Sequence, residues 1–161
     1  MAVHALILRA YTPIFRSFNL SALEIPCYSF TARHASRHLA QFYEHMIIGS
    51  GIHIQQFTIL AIIKHKGPLS IIELAQALAM DRTTLARSLN PIERDSYISI
   101  ASSKEDRRIR IVSITPKGKE KLEVAIKLWR KAQAEFESRF GVERAAKLRE
   151  ELRAAAEAVA A

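Results

Sequence analysis

The chain has little of what staples a fold or runs a reaction. Its 161 residues include one cysteine, Cys27, so an intrachain disulfide and a thiolate zinc site are both excluded. His4, His34, His38, His45, His53 and His65 form neither an H-E-x-x-H pair nor a His/Cys cluster. His34 and His38 stand four apart and can share a helical face, but no third ligand is near them, so no metal is expected. The five glycines make no phosphate-cradling loop, and there is no nucleophile elbow. An enzyme is therefore not expected, and no cofactor is called for. Residues 1–23 are apolar, yet Arg9, Pro13 and Arg16 interrupt them, and they lack a charged leader and a small-residue cleavage site. Neither secretion nor a membrane span is expected, and residues 1–25 read as an N-terminal arm or tail. A lone thiol fits a reducing cytoplasm.

What is present is a core and an uneven charge. A hydrophobic share of 49% suffices for one domain with an extension. Of the formal charge of +8, half falls on residues 81–119, where nine Lys and Arg face five acids. Residues 120–161 are nearly balanced, with nine against eight. A quarter of the chain thus carries the charge suited to phosphate.

The same segment has the pattern of a helix-turn-helix. Ser70-Ile71-Ile72-Glu73 has capping-box spacing, and Ile71, Leu74, Ala75 and Leu78 follow on one helical face. Asp81 is a strong N-cap for a second helix. Arg82, Thr83 and Thr84 then fall in its first turn, and Leu85, Leu89 and Ile92 form its buried stripe, leaving Arg87, Ser88 and Arg94 outside. Pro91 predicts a bend or early loosening. After Asp95 the period changes from 3.6 to 2: Tyr97, Ile98 and Ile100 suggest one strand, Ile109, Ile111, Val112 and Ile114 another, with a polar turn over residues 102–107. Lys104, Arg107, Arg108 and Arg110 cluster at its tip, which packing alone does not explain. The fold class is mainly α with a small β-hairpin wing (α+β): a winged helix-turn-helix whose second helix enters the major groove.

The run LAQALAMDRTTLARSLNPIERDSYI, followed by EDRRIRIVSITPKGKEKL, resembles the MarR family of bacterial transcription regulators over about residues 27–141. Asp106, Arg108 and the strand end Ile114-Thr115-Pro116-Lys117-Gly118 match its wing signature. The resemblance implies that Arg108 inserts into the minor groove and that Asp106 holds the wing by pairing with basic side chains. It implies an obligate homodimer on double-stranded DNA, made by the first and last helices, and more often a repressor than an activator. The chain departs from the family at Ser96, where relatives carry Gly, and at His53, where they often carry a capping Thr or Ser. DNA contact is accordingly expected from Arg82, Thr83, Thr84, Arg87, Ser88, Lys104, Asp106, Arg107, Arg108 and Arg110.

The flanks look built for association. Ala32, Ala35, Leu39, Phe42 and Met46 give an amphipathic helix from Pro26 to about Ile48, and a second helix spans residues 54–65. After Gly118, Leu122, Trp129 and Phe136 recur at sevens to Gly141. A last helix repeats Leu148, Leu152, Ala155 and Val159. The expected organisation is a MarR-type domain over 26–161, with dimerisation helices at 26–48 and 119–161 and a winged lobe at 52–118. Relatives commonly bind aromatic or phenolic anions in a crevice; Arg33, Arg37, His53, Phe57 and Trp129 are the candidates here, each with an alternative role in core or interface. Others sense oxidants through a cysteine. Cys27 is the candidate, or else a small apolar residue at the dimer interface. A small basic architectural DNA-binding protein without effector response is the alternative reading.

Overall fold

The computed structural model describes residues 27–160; the expected arm at 1–25 lies outside them. Two compact units divide the chain, Met1–Arg37 and His38–Ala161. Helix α1 spans Tyr28–Ile47 and starts where the Cys27 carbonyl accepts the Thr31 amide at 3.0 Å. A 3-10 turn, Ile48–Ser50, follows it and closes on Gly51 at φ 78°.

Helix α2 (Ile54–Lys66) has no hydroxyl at its start, and the expected weakness there is met from another helix. Glu44 accepts the Ile54 amide at 2.8 Å through one carboxylate oxygen and contacts His53 Nδ1 at 2.5 Å through the other. The His53 amide is taken by Gln56 Oε1 at 2.9 Å. A two-residue strand β1 (Leu69–Ser70), absent from the sequence reading, leads into α3 (Ile71–Ala77). Ser70 and Glu73 close the expected capping box: the Glu73 amide donates to Ser70 Oγ at 3.2 Å, and the Ser70 amide to Glu73 Oε2 at 2.8 Å.

Helix α4 (Arg82–Arg94) runs past Pro91, and the expected early loosening does not occur. The proline deletes one amide, but the Asp95 amide bonds to the Pro91 carbonyl at 3.0 Å, so the ladder resumes at once. Leu85, Leu89 and Ile92 are 0–1% exposed on the other side; burying each is worth about 1.5–3 kcal/mol, enough to hold the helix across one missing bond.

Strands β2 (Ile98–Ser102) and β3 (Arg110–Ile114) form the wing, one residue shorter at each start than expected. The sheet order is β1-β3-β2, antiparallel, with Leu69 opposite Val112 and Ile98 opposite Ile114. Tyr97 is drawn into the end of α4 instead. Its amide reaches back to the Ile92 carbonyl at 3.0 Å and that of Ser96 to Glu93 at 2.8 Å, the two bonds of a Schellman cap with Ser96 left-handed at φ 61°. The turn of the helix-turn-helix uses the same device. Ala79 sits at φ 49°, with Ala79 and Met80 amides bonded to the Gln76 and Ala75 carbonyls.

Helix α5 (Pro116–Phe140) begins at Thr115, whose hydroxyl takes the Gly118 amide, and ends at Gly141; α6 (Val142–Val159) completes the chain. The heptad reading of α5 needs correction at Leu122. It is 0% exposed and lies in the core with Leu60, Leu74, Leu89 and Val112, so it is unavailable to a partner. Trp129 packs on that core and stacks on Phe57 at 5.9 Å, while Phe136 meets Phe42 and Phe140. Among the described residues no single helix is long and apolar enough to cross a membrane.

Two caps without glycine and one glycine without room make opposite predictions. Ala79→Gly and Ser96→Gly should each stabilise by about 0.5–1 kcal/mol, because an L side chain is strained in the left-handed region. Gly118→Ala should destabilise by about 3 kcal/mol or more, since its Cβ would lie 2.0 Å from the Tyr97 carbonyl oxygen. Urea unfolding measures all three; a neutral Gly118→Ala would mean that α5 can lift off residue 97.

Candidate nucleic-acid interface

The start of α4 is fixed by one carboxylate. Asp81 accepts the Thr84 amide at 2.8 Å on Oδ1 and the Thr84 hydroxyl at 2.5 Å on Oδ2. That pins the first turn, and Arg82, Thr83, Thr84 and Arg87 stand exposed around it. Ser88, half-buried, donates its hydroxyl proton to the Thr84 carbonyl at 3.0 Å and accepts from Gln55 Nε2 at 3.0 Å. Gln55 belongs to α2 and was missed by sequence reasoning; no periodicity in its own helix marks it, because its partner is 33 residues away.

At the wing, Lys104, Arg107, Arg108 and Arg110 are all exposed, and none joins an ion pair among the described residues. The expected pairing of Asp106 with basic side chains is not what the geometry provides. Its carboxylate accepts the Arg108 backbone amide at 2.9 Å, and its carbonyl accepts the Ile109 amide at 2.9 Å. Asp106 thus shapes the turn through the backbone, as a short carboxylate two residues ahead of an amide readily does. Glu105 is likewise tied to the Ser103 hydroxyl. Both acids serve the loop, and among the described residues neither forms an ion pair with the four cations.

Three carboxyls of this region lie below their usual range. For Asp81 the Thr84 hydroxyl is the chief cause, followed by the Thr84 amide; for Glu73 it is the Ser70 hydroxyl, then the Ser70 amide; for Glu105 it is the Ser103 hydroxyl.

The other candidates divide between the units. In the first, Arg33 donates to Ser29 Oγ at 3.2 Å, and Arg33 and Arg37 line an open pocket of about 300 Å³ with Cys27 and Phe30. Cys27 is exposed. In the second, His53 is held by Glu44, and Phe57, 8% exposed, stacks on Trp129.

A helix-turn-helix with an outward polar face and a cationic β-hairpin beside it defines a winged helix-turn-helix protein. Comparison with known proteins agrees. The model of the MarR family matches residues 52–109. The chain superposes on the M. tuberculosis transcriptional regulator MosR, solved in complex with DNA, with a TM-score of 0.71 and 34% identity over 82% of this chain and 97% of that one. It is 30% identical over 73 residues to an uncharacterized HTH-type transcriptional regulator of Staphylococcus aureus (strain Mu50), which is 45% of this chain and 50% of the relative; the match spans about half the length of that curated relative. The fold is shared with a cysteine-to-serine mutant of MarR from E. coli complexed with operator DNA, with a TM-score of 0.74 at 19% identity over 86% of this chain and 99% of that one. The chain belongs to the MarR family of winged helix-turn-helix transcription regulators.

The lowered carboxyls set an acid limit. A folded-state value below the unfolded one gives stability that is complete above about pH 5 and is lost as pH falls through the folded value. Asp81→Asn keeps a cap without a titrating group, so its melting temperature should fall less than the parent's between about pH 5 and about pH 2. Circular dichroism melts measure this; superimposable acid limbs would show that Asp81 contributes nothing to it.

Proposed function

We propose that the chain is a sequence-specific, DNA-binding transcription regulator of the cytoplasm, acting as a homodimer on a palindromic operator and as a repressor. The observation that carries this reading is a pair of features: four exposed wing cations that join no ion pair among the described residues, and the exposed first turn of α4. Self-repulsion among unpaired cations destabilises a free protein, and phosphate relieves it. Thr83, Thr84, Arg87 and Ser88 would meet base edges in the major groove, while Arg108 at the wing reads minor-groove width and potential. Arg82, Lys104, Arg107 and Arg110 add phosphate contacts, and Asp106 holds the turn that presents them.

The two kinds of contact should separate in a salt titration of operator affinity. Arg108→Ala should weaken binding most at A·T-rich flanks and make the salt dependence shallower by about one unit of slope. Thr84→Ala should instead relax preference at particular base pairs, by about 1–3 kcal/mol, with the slope kept. Unchanged affinity and slope in Arg108→Ala would remove the wing from the mechanism.

The dimer is supported by apolar surface that α6 leaves open. Only Ala145 of that helix is buried, while Val142, Leu152 and Val159 are 66%, 49% and 82% exposed. A half-site spacing of about 34 Å on DNA calls for two linked recognition helices. Leu152→Arg should shift sedimentation toward the monomer and weaken operator binding; an unaffected dimer would place the interface elsewhere.

Release is assigned to a small aromatic or phenolic anion, with Arg33 and Arg37 supplying charge beside Phe30, and His53, Phe57 and Trp129 the remaining candidates. Oxidation at Cys27 is the other route. The thiol is exposed just before the first turn of α1, where peroxide can reach it. A Cys27→Ser protein should keep operator binding in peroxide where the parent loses it. Equal loss in both would leave release to the anion alone.

A further inference from the structure

Two of the three hydroxyls of α4, those of Thr84 and Ser88, have already spent their protons. A serine or threonine hydroxyl has one proton to give and two lone pairs to offer. Thr84 gives its proton to the Asp81 carboxylate at 2.5 Å, a charge-assisted bond of the stronger kind. Ser88 gives its proton to the Thr84 carbonyl and takes one from Gln55 Nε2, both at 3.0 Å. The amide orientation of Gln55 follows from the same accounting, since an oxygen that has donated can only accept from it. Ser88 is left with one lone pair and nothing to donate. An open cleft of about 350 Å³ lies beside it, lined also by Gln55, Pro91, Arg94 and Asp95.

Resting on the reading of α4 as the recognition helix, we propose that Gln55 is a positioning residue for base readout. By donating to Ser88 Oγ it holds that hydroxyl as a pure acceptor, so the base pair facing Ser88 is chosen for an exocyclic amino group on the contacted strand. In the major groove adenine N6 and cytosine N4 are donors, whereas guanine O6 and N7 and thymine O4 accept. The resulting preference is for adenine or cytosine against guanine or thymine. Without Gln55, the weaker neutral bond from Ser88 to the Thr84 carbonyl no longer has a neighbour enforcing it. The hydroxyl can then turn and donate, and the discrimination fades.

The experiment is selection of bound duplexes from a randomised pool by the full chain, by Ser88→Ala, by Gln55→Met, which keeps length without hydrogen bonding, and by the double variant. The parent should favour A or C over G or T roughly tenfold at one position per half-site, the scale of one good base contact. Ser88→Ala should flatten that position alone. Gln55→Met should reduce the preference to about threefold or less, keep the salt slope and non-specific affinity, and add nothing in the Ser88→Ala background. A purine analogue lacking the 6-amino group, placed at that position, should weaken the parent roughly tenfold and Gln55→Met by about threefold at most. A guanine or thymine preference at the Ser88-dependent position, or a parental profile in Gln55→Met, overturns the inference while DNA reading stands. A parent that selects no sequence overturns both.

Discussion

The helix-turn-helix, the wing and the long helix α5 are locked together at one backbone crossing, where the first turn of α5 lies over residues 95–97. Thr115 donates its hydroxyl to the Ser96 carbonyl at 2.7 Å and its amide to the Tyr97 carbonyl at 3.0 Å. Lys117 Nζ reaches the Asp95 carbonyl at 2.9 Å and lies over the Tyr97 ring. Gly118 completes the clasp, because any side chain there would strike the Tyr97 carbonyl. The cap that ends α4, the entry to β2, the exit from β3 and the start of α5 thus share one set of hydrogen bonds. A rotation of α5 about its axis reaches α4 through these bonds, with no flexible linker between.

That clasp explains how two strained caps are tolerated. Ala79 and Ser96 each adopt a backbone that costs an L residue roughly 1–2 kcal/mol, and they bracket α4 at its two ends. The burial of Leu85, Leu89 and Ile92 in the core exceeds that cost. The result fixes the phase of α4: its stripe cannot leave the core, so its outward residues cannot turn away. The tip of the wing is held more lightly, by the β2–β3 pairing beyond the reach of β1 and a turn whose acids are bound to Ser103 and to backbone.

Features that depend on residues three or four apart were legible in the sequence, because their physics is local. The Ser70–Glu73 capping box, the Asp81 cap, the buried stripe of α4 and the hairpin all followed from spacing. What escaped needs partners far along the chain. Strand β1 is two residues long and exists only through its pairing with β3, and the Glu44 cap of α2 comes from a different helix. Leu122 looked like part of an interface because sevenfold spacing describes a helix face without saying what covers it. Pro91 looked disruptive because propensity counts the lost bond and not the three buried residues that offset it. At the wing, the family pattern suggested a side-chain partner for Asp106 where the geometry supplies a backbone amide.

The interface, on the reading proposed here, separates attraction from discrimination by the accounting of protons. Phosphate oxygens accept hydrogen bonds and attract positive charge, so a hydroxyl with a proton to spare binds phosphate and base acceptors alike. Thr84 and Ser88 have no proton to spare, since one is committed to Asp81 and the other to the Thr84 carbonyl. They therefore add little to non-specific binding, which falls to arginines and lysines whose contribution salt can screen. What the hydroxyls retain is an acceptor that answers only to an amino group. The carboxylate of Asp81 has a double effect in this arrangement: it caps the helix that carries the readout, and it takes the proton that would otherwise blur it.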